Sequence, residues 1–400
     1  MRLAIIADTF PPLRTSGAVQ LRDLSIAFAQ AGHETTMLVA DPSIVARYVI
    51  EDYHGVTVAR LKTPQSKDVN YARRTLAELA MPFAMIRNFQ ASPLAGQQFD
   101  AVIWYSPTIF LGPIVRWLKK RGAAKSYLIL RDIFPQWAAD MGIISNTGIF
   151  RFLDSIANYQ YRSADIIGVQ TQGNLAFFIP GAVKGLNAKL EVLHNWLADG
   201  PDQGCAIDLA KTSLAGRRIF VYAGNMGAAQ HMEKLVNLAI ALRERADIGF
   251  LFVGRGSEVG RLRQFAAENQ LENVLFEDEI DPADIPGLYK QCHVGLICLD
   301  SRHKTHNIPG KFLTYMHAGL PVLASVNMGN DLIGEIEANR VGLASIDPEG
   351  KDLASLAQQL AGSEWTGVDI HIRCRTLFKK QFLVAASVRQ IETAMSAKNM

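Results

Sequence analysis

Short β-branched apolar runs alternate along this chain with stretches whose apolar residues recur every three or four positions. The first half reads as strand RLAIIAD, helix AVQLRDLSIAFAQAG, strand HETTMLVA, helix near 70–90, strand AVIWYS, helix near 109–121 and strand YLILRD. In the first helix Leu21, Leu24, Ala27 and Phe28 share one face, and Gly32 stands where a left-handed C-terminal cap belongs. After ADIIGVQT and LEVLHNW comes ADGPDQGCAIDLA, whose Gly, Pro and Asp content marks a linker. A second alternation follows: RIFVYAG, helix 231–245, GFLFVG, helix 257–269, NVLFED, helix 283–291, VGLICLD, helix near 310–318 and PVLASV. Strand–helix alternation of this kind builds parallel βαβ units, so the pattern predicts two successive parallel α/β domains joined near residue 200.

Length agrees, because 400 residues exceed one ordinary core and suit two domains with a ligand-holding cleft. A composition of 49% hydrophobic and 20% charged residues excludes disorder. The net charge of +3 is too small to argue for nucleic acid. Its distribution says more: ARLKTPQSKDVNYARR (59–74) and VRWLKKRGAAK (115–125) are basic with apolar neighbours, as a surface facing anionic lipid would be, or as two solvated faces would be. Cys205, Cys292, Cys298 and Cys374 lack metal spacing, which suits free thiols in a reducing compartment. The most apolar stretch, 101–115, is short and broken by Pro107 and Pro113, so no transmembrane helix is expected.

Ligands of open parallel sheets bind beyond the carboxyl ends of the strands, which directs attention to the loops there. After the first strand, Ser16 and Gly17 open a helix whose unpaired amides can face a phosphate or a sugar hydroxyl. After RIFVYAG, the turn Gly224-Asn225-Met226-Gly227 is placed to aim amides at an anion. FVGRGSEVG spaces its glycines G-x-G-x-x-x-G, one residue longer than the dinucleotide fingerprint, so Arg255 and Gly256 read instead as contacts to a nucleotide base or phosphate. SRHKTHNIPGK gathers Arg302, His303, Lys304, His306 and Lys311 around Asn307 and Gly310, directly ahead of a helix, an arrangement that suits a diphosphate. In the first half, Arg131 and Asp132 end a strand as a catalytic or substrate-orienting pair, or as a salt bridge that only holds a loop. Tyr105 and Ser106 end a neighbouring strand and can border the same cleft.

FPPLRTSGA, RDIFP, LHNW, YAGNMG, FVGRG and above all NIPGKFLTYMHAGLPVLA occur in an order and spacing that resembles the retaining GT-B-type glycosyltransferases of family 4 over nearly the whole chain. Within them, the chain is most similar to bacterial O-antigen and capsule transferases of the L-fucosamine type. The resemblance implies two Rossmann-like domains, an acceptor-binding one over 1–199 and a nucleotide-sugar-binding one over 200–379. It further implies that the helix 380–396 packs back on the first. The family commonly carries two glutamates eight positions apart, one on the donor sugar and one on the ribose. His306 and Thr314 stand at those positions here, and Asn225 and Gln230 replace the Arg and Lys that grip the diphosphate. Lys311, Arg255 and the 302–306 loop are then the cations left for phosphate.

By resemblance the activity is retaining transfer of a sugar, an N-acetylated deoxyhexosamine in the closest subgroup, from a UDP-sugar to a polyprenyl-diphosphate-linked saccharide. The enzyme would sit peripherally on the anionic inner face of the cytoplasmic membrane. No cofactor beyond the nucleotide-sugar co-substrate is expected, and with no Asp-x-Asp pair in the sequence, no metal. Stabilisation of the departing diphosphate falls to helix N-termini and basic side chains. Two other readings stay open: a UDP-sugar 2-epimerase-like enzyme, and a binding protein that keeps the fold without catalysis.

Overall fold

The computed structural model describes residues 1–66, 69–122, 125–178, 183–200, 203–227, 230–300 and 306–396. The chain divides into two compact units, Met1–Ala198 with Val384–Met400, and Asp199–Leu383.

The first unit runs β1 (Arg2–Ala7), α1 (Ser16–Gln30), β2 (Glu34–Asp41), β3 (Tyr48–Tyr53), β4 (Val56–Lys62), α2 (Tyr71–Gln90), β5 (Ala101–Tyr105), α3 (Gly112–Lys120), β6 (Lys125–Leu130), α4 (Gln136–Asp140), α5 (Thr147–Tyr161), β7 (Ile166–Val169), α6 (Gln172–Leu175) and β8 (Lys189–Val192). The eight strands lie in the order β3-β4-β2-β1-β5-β6-β7-β8. All neighbours are parallel except β3 against β4. β1, β5 and β6 are almost continuously apolar because helices cover both faces of the sheet, and the two faces bury separate cores. Since β1 lies between β2 and β5, the strand order reverses beside β1, and that reversal is where an open sheet leaves a crevice.

The β3–β4 hairpin corrects the reading of 59–74 as one basic face. Arg60 lies on β4 and pairs with Asp41 and Glu51 while donating to the Pro11 carbonyl, and Lys62 donates to the carbonyls of Pro42 and Ile44. Much of 115–125 is similarly engaged: Arg116 stacks on Tyr159, Lys119 pairs with Asp165 and Arg121 stacks on Trp117. Residues 67, 68, 123 and 124 of these stretches lie outside the described residues.

The second unit contains β9 (Arg218–Ala223), α7 (Glu233–Ala241), β10 (Ile248–Val253), α8 (Val259–Glu268), β11 (Val274–Glu277), α9 (Ile285–Tyr289), β12 (Val294–Cys298), α10 (Gly310–Ala318), β13 (Val322–Ser325), α11 (Asp331–Asn339), β14 (Gly342–Ser345), α12 (Leu353–Leu360) and α13 (Val368–Leu377). Its sheet is parallel, ordered β11-β10-β9-β12-β13-β14, with the reversal between β9 and β12. There the two strands pair over only Phe220–Val221 and Val294–Gly295. The Tyr315 hydroxyl reaches both the Val221 and the Leu296 carbonyls, at 3.0 and 3.1 Å, and so bridges the parting strands. Gly295 makes room for that tyrosine ring, which a Cβ there would strike. A π-helical turn, Phe378–Phe382, precedes α14 (Val384–Ser396), which packs on α1 in the first unit.

Candidate active site

In the first unit the carboxyl ends of β1, β5 and β6 gather Gly17, Tyr105, Arg131 and Asp132. Tyr105 is buried and donates to Gln20 Oε1 at 2.7 Å. Burial raises its phenol to about 12, with the charges of Arg131, Asp132 and Asp8 acting on it in turn. A Cβ at position 17 would stand 3.2 Å from the Tyr105 ring, so glycine here lets α1 begin against that tyrosine. Thr15 caps the helix by accepting from the Ala18 amide, and the Ser16 and Gly17 amides have no acceptor among the described residues.

Arg131 is 7% exposed, and its guanidinium donates to the Leu193 carbonyl at 2.7 Å and the His194 carbonyl at 3.4 Å, with Trp196 beneath it at 4.7 Å. Trp196 donates in turn to the Gln20 carbonyl. The RD and LHNW motifs therefore meet: Arg131 ties the chain after β8 to β6 and α1, which makes it a positioning group. Ser106 is fully buried and accepts from the Arg131 amide. Asp132 is half-buried with no hydrogen bond to its carboxylate among the described residues. Burial raises its pKa, and the Arg131 charge opposes that.

In the second unit, the loops after β9 and β10 press together. Gly224 and Gly254 have φ of 136° and 142°, and Gly256 has 149°. A Cβ on Gly254 would collide with the Gly224 carbonyl, and one on Gly256 with that of Met226. The amides of this turn are used inside the protein: Gly224 donates to Val253 O, Met226 to Arg255 O and Gly227 to Gln230 Oε1. The expectation that this turn aims those amides at an anion is corrected accordingly; Gln230 accepts both Gly227 N–H and Asn225 Nδ2. Arg255 is largely exposed and pairs with Glu279 at 3.3 Å.

Lys311, in the first turn of α10, lies over the Tyr222 ring at 4.6 Å and about 3.0 Å from where a Gly224 Cβ would be. No carboxylate pairs with it among the described residues, and burial lowers its pKa to about 8. Tyr222 is held by its hydroxyl, which donates to Asn225 O at 2.7 Å. The ammonium thus rests on an aromatic face at the reversal between β9 and β12. Gly310 opens α10 on an exposed surface, following Asn307, Ile308 and Pro309. His306 Nδ1 donates to the Gly329 carbonyl at 2.8 Å, and Thr314 donates to the Lys311 carbonyl one turn back. Arg302, His303 and Lys304 lie outside the described residues. Sequence reading missed Tyr222, which looks like any strand aromatic until Lys311 is laid on it, and Gln20, which looks like a surface helix residue.

Residues 217–362 match the family model described as glycosyl transferases group 1. Over 404 aligned residues the chain is 23% identical to the colanic acid biosynthesis glycosyl transferase WcaI of Escherichia coli K12, covering 96% of this chain and 98% of that one. It is 23% identical to glycosyltransferase WbjE of Pseudomonas aeruginosa over 54% of this chain, a match that spans 55% of WbjE. Alr3699/HepE of Anabaena, solved in complex with UDP, superposes with a TM-score of 0.68 at 15% identity, covering 99% of this chain and 100% of that one. The chain carries a glycosyltransferase domain on a GT-B fold. Among the described residues no helix is long and apolar enough to cross a membrane.

Proposed function

We propose that this protein is a retaining, metal-independent glycosyltransferase that moves a sugar from a UDP-sugar to a lipid-linked saccharide in envelope polysaccharide assembly. The observation that carries the donor half is Lys311: a cation on an aromatic face, at the sheet reversal, with no carboxylate paired to it among the described residues. A diphosphate supplies the missing charge, and as the leaving group it gains negative charge in the transition state, where a pre-placed ammonium is most effective. His306 and Thr314 stand where glutamates would, and neither is acidic, so no carboxylate there repels that diphosphate. HepE was solved with UDP, which supports uracil as the base. WcaI is named for colanic acid biosynthesis, which supports a polysaccharide product.

In the first unit, Asp132 is the group we assign to an acceptor or donor hydroxyl, with Arg131 keeping it in place. Membrane association draws support from the segment that follows. Trp137, Met141, Ile143, Ile149 and Phe152 are all exposed, on and between α4 and α5, which begin four residues after Asp132. A bilayer suits such a group of protruding apolar side chains, and a polyprenyl acceptor needs the bilayer near its site.

The test is transfer from radiolabelled UDP-sugars to a bacterial lipid extract, with and without EDTA. A chloroform-soluble, EDTA-resistant product supports the reading. Epimerised UDP-sugar with no lipid product would replace transfer by epimerisation, and neither product would leave a binding protein.

A further inference from the structure

The carboxyl edge of the second sheet holds another lysine that the chemistry above does not use. Lys234, the second residue of α7, is only 6% exposed. Among the described residues its ammonium makes one hydrogen bond, a long one from Nζ to Ser325 Oγ at 3.4 Å. Among the described residues no carboxylate comes within 4.0 Å of Nζ. Of the acids nearby, Glu233 pairs with Arg261 and Asp352 bonds Ser345, while the buried Asp300 acts on the same Cys298 thiol as Lys234 without an ion-pair contact to Nζ. Residues 301–305, Ser-Arg-His-Lys-Thr, contain no acid at all.

A buried ammonium with one weak partner is unfavourable, because desolvation is compensated only by a counter-charge or a full set of acceptors. Its location is informative. Ser325 ends β13, and Cys298, close enough for the Lys234 charge to act on its thiol, ends β12. Cys298 in turn acts on Tyr222, the ring that carries Lys311. The two ammoniums therefore flank the same strand ends, one from α7 and one from α10.

We propose that Lys234 is a second cation of the anion site at this edge, paired with a phosphate oxygen of the bound nucleoside diphosphate. The inference rests on the donor reading above and adds a residue to it. It also accounts for the neutral Asn225 and Gln230: the charge absent from the β9 turn is present one helical turn beyond Gln230, inside the fold.

Calorimetric titration of the full chain and of Lys234→Met with uridine, UDP and inorganic diphosphate tests this. The expected result is UDP and diphosphate affinities at least tenfold weaker in the variant, with uridine affinity unchanged. The ligand-free variant should melt no lower than wild type, since an apolar side chain replaces a buried ammonium held by one long hydrogen bond. Equal UDP and diphosphate affinities in the two proteins would overturn the proposal, whatever the melting temperatures. If Lys234→Met does not fold, Lys234→Gln is titrated against the same three ligands and read the same way. Were wild type to bind no UDP, the donor reading would fall by itself, and inorganic diphosphate alone would decide for or against Lys234.

Discussion

The two carboxyl edges use their cations in opposite ways. In the first unit Arg131 is engaged by the protein: two backbone carbonyls and the Trp196 face take its guanidinium. In the second, Lys311 has an aromatic face and, among the described residues, no anion. A cation with internal acceptors holds the fold, whereas one held half-buried without them waits for charge from outside. Position at a strand end is common to both and discriminates nothing.

The comparison can be broken at several points. The largest effect is expected from Gly254→Ala, which combines a left-handed φ with a collision against the Gly224 backbone. It should cost about 3 kcal/mol or more, read as a loss of the second unit's urea stability. Arg131→Ala should destabilise by about 3 kcal/mol, from two charge-assisted bonds and a stacked ring, and an unfolding midpoint equal to wild type would remove its positioning role. Lys311→Ala should leave folding intact and weaken UDP about 10–100-fold, the effect of one charge-assisted bond of about 1.5–3 kcal/mol; unchanged affinity and turnover would end the donor assignment.

A pH titration sharpens the contrast. Lys311 is lowered to about 8 by burial, and only its protonated form attracts a phosphate, so UDP affinity should be full below pH 7 and fall as pH rises through 8. By pH 9.5 the loss should be about tenfold, and Lys311→Arg should flatten it, since a guanidinium stays charged. The smallest effect is on the surface: Trp137→Ser with Ile143→Ser should lower flotation with liposomes several-fold while soluble-substrate turnover is kept. Undiminished flotation would move the membrane contact away from α4 and α5.

Much of this was legible in the chain. Strand–helix alternation identified β1, β2, β5 and β6, and the run β9 to β13, because periodicity records which faces are buried. It missed the β3–β4 hairpin and read Arg60 and Lys62 as surface charges, since a window of sequence cannot reveal that Asp41 and Glu51 lie beside Arg60. The glycines of FVGRG were legible as special, but not their reason: two strand-end loops, 30 residues apart in sequence, touch backbone to backbone. Motif reading found Arg131 and Lys311 equally well and could not rank them.

The sequence alone determined where strands end, which loops follow them and that cations stand at those ends, because these depend on local patterning. The tertiary structure alone decided which cation meets backbone carbonyls and which is laid on an aromatic face. Partners such as Leu193 for Arg131, Tyr222 for Lys311 and Ser325 for Lys234 lie 62 to 91 residues away and come together only when the sheets form.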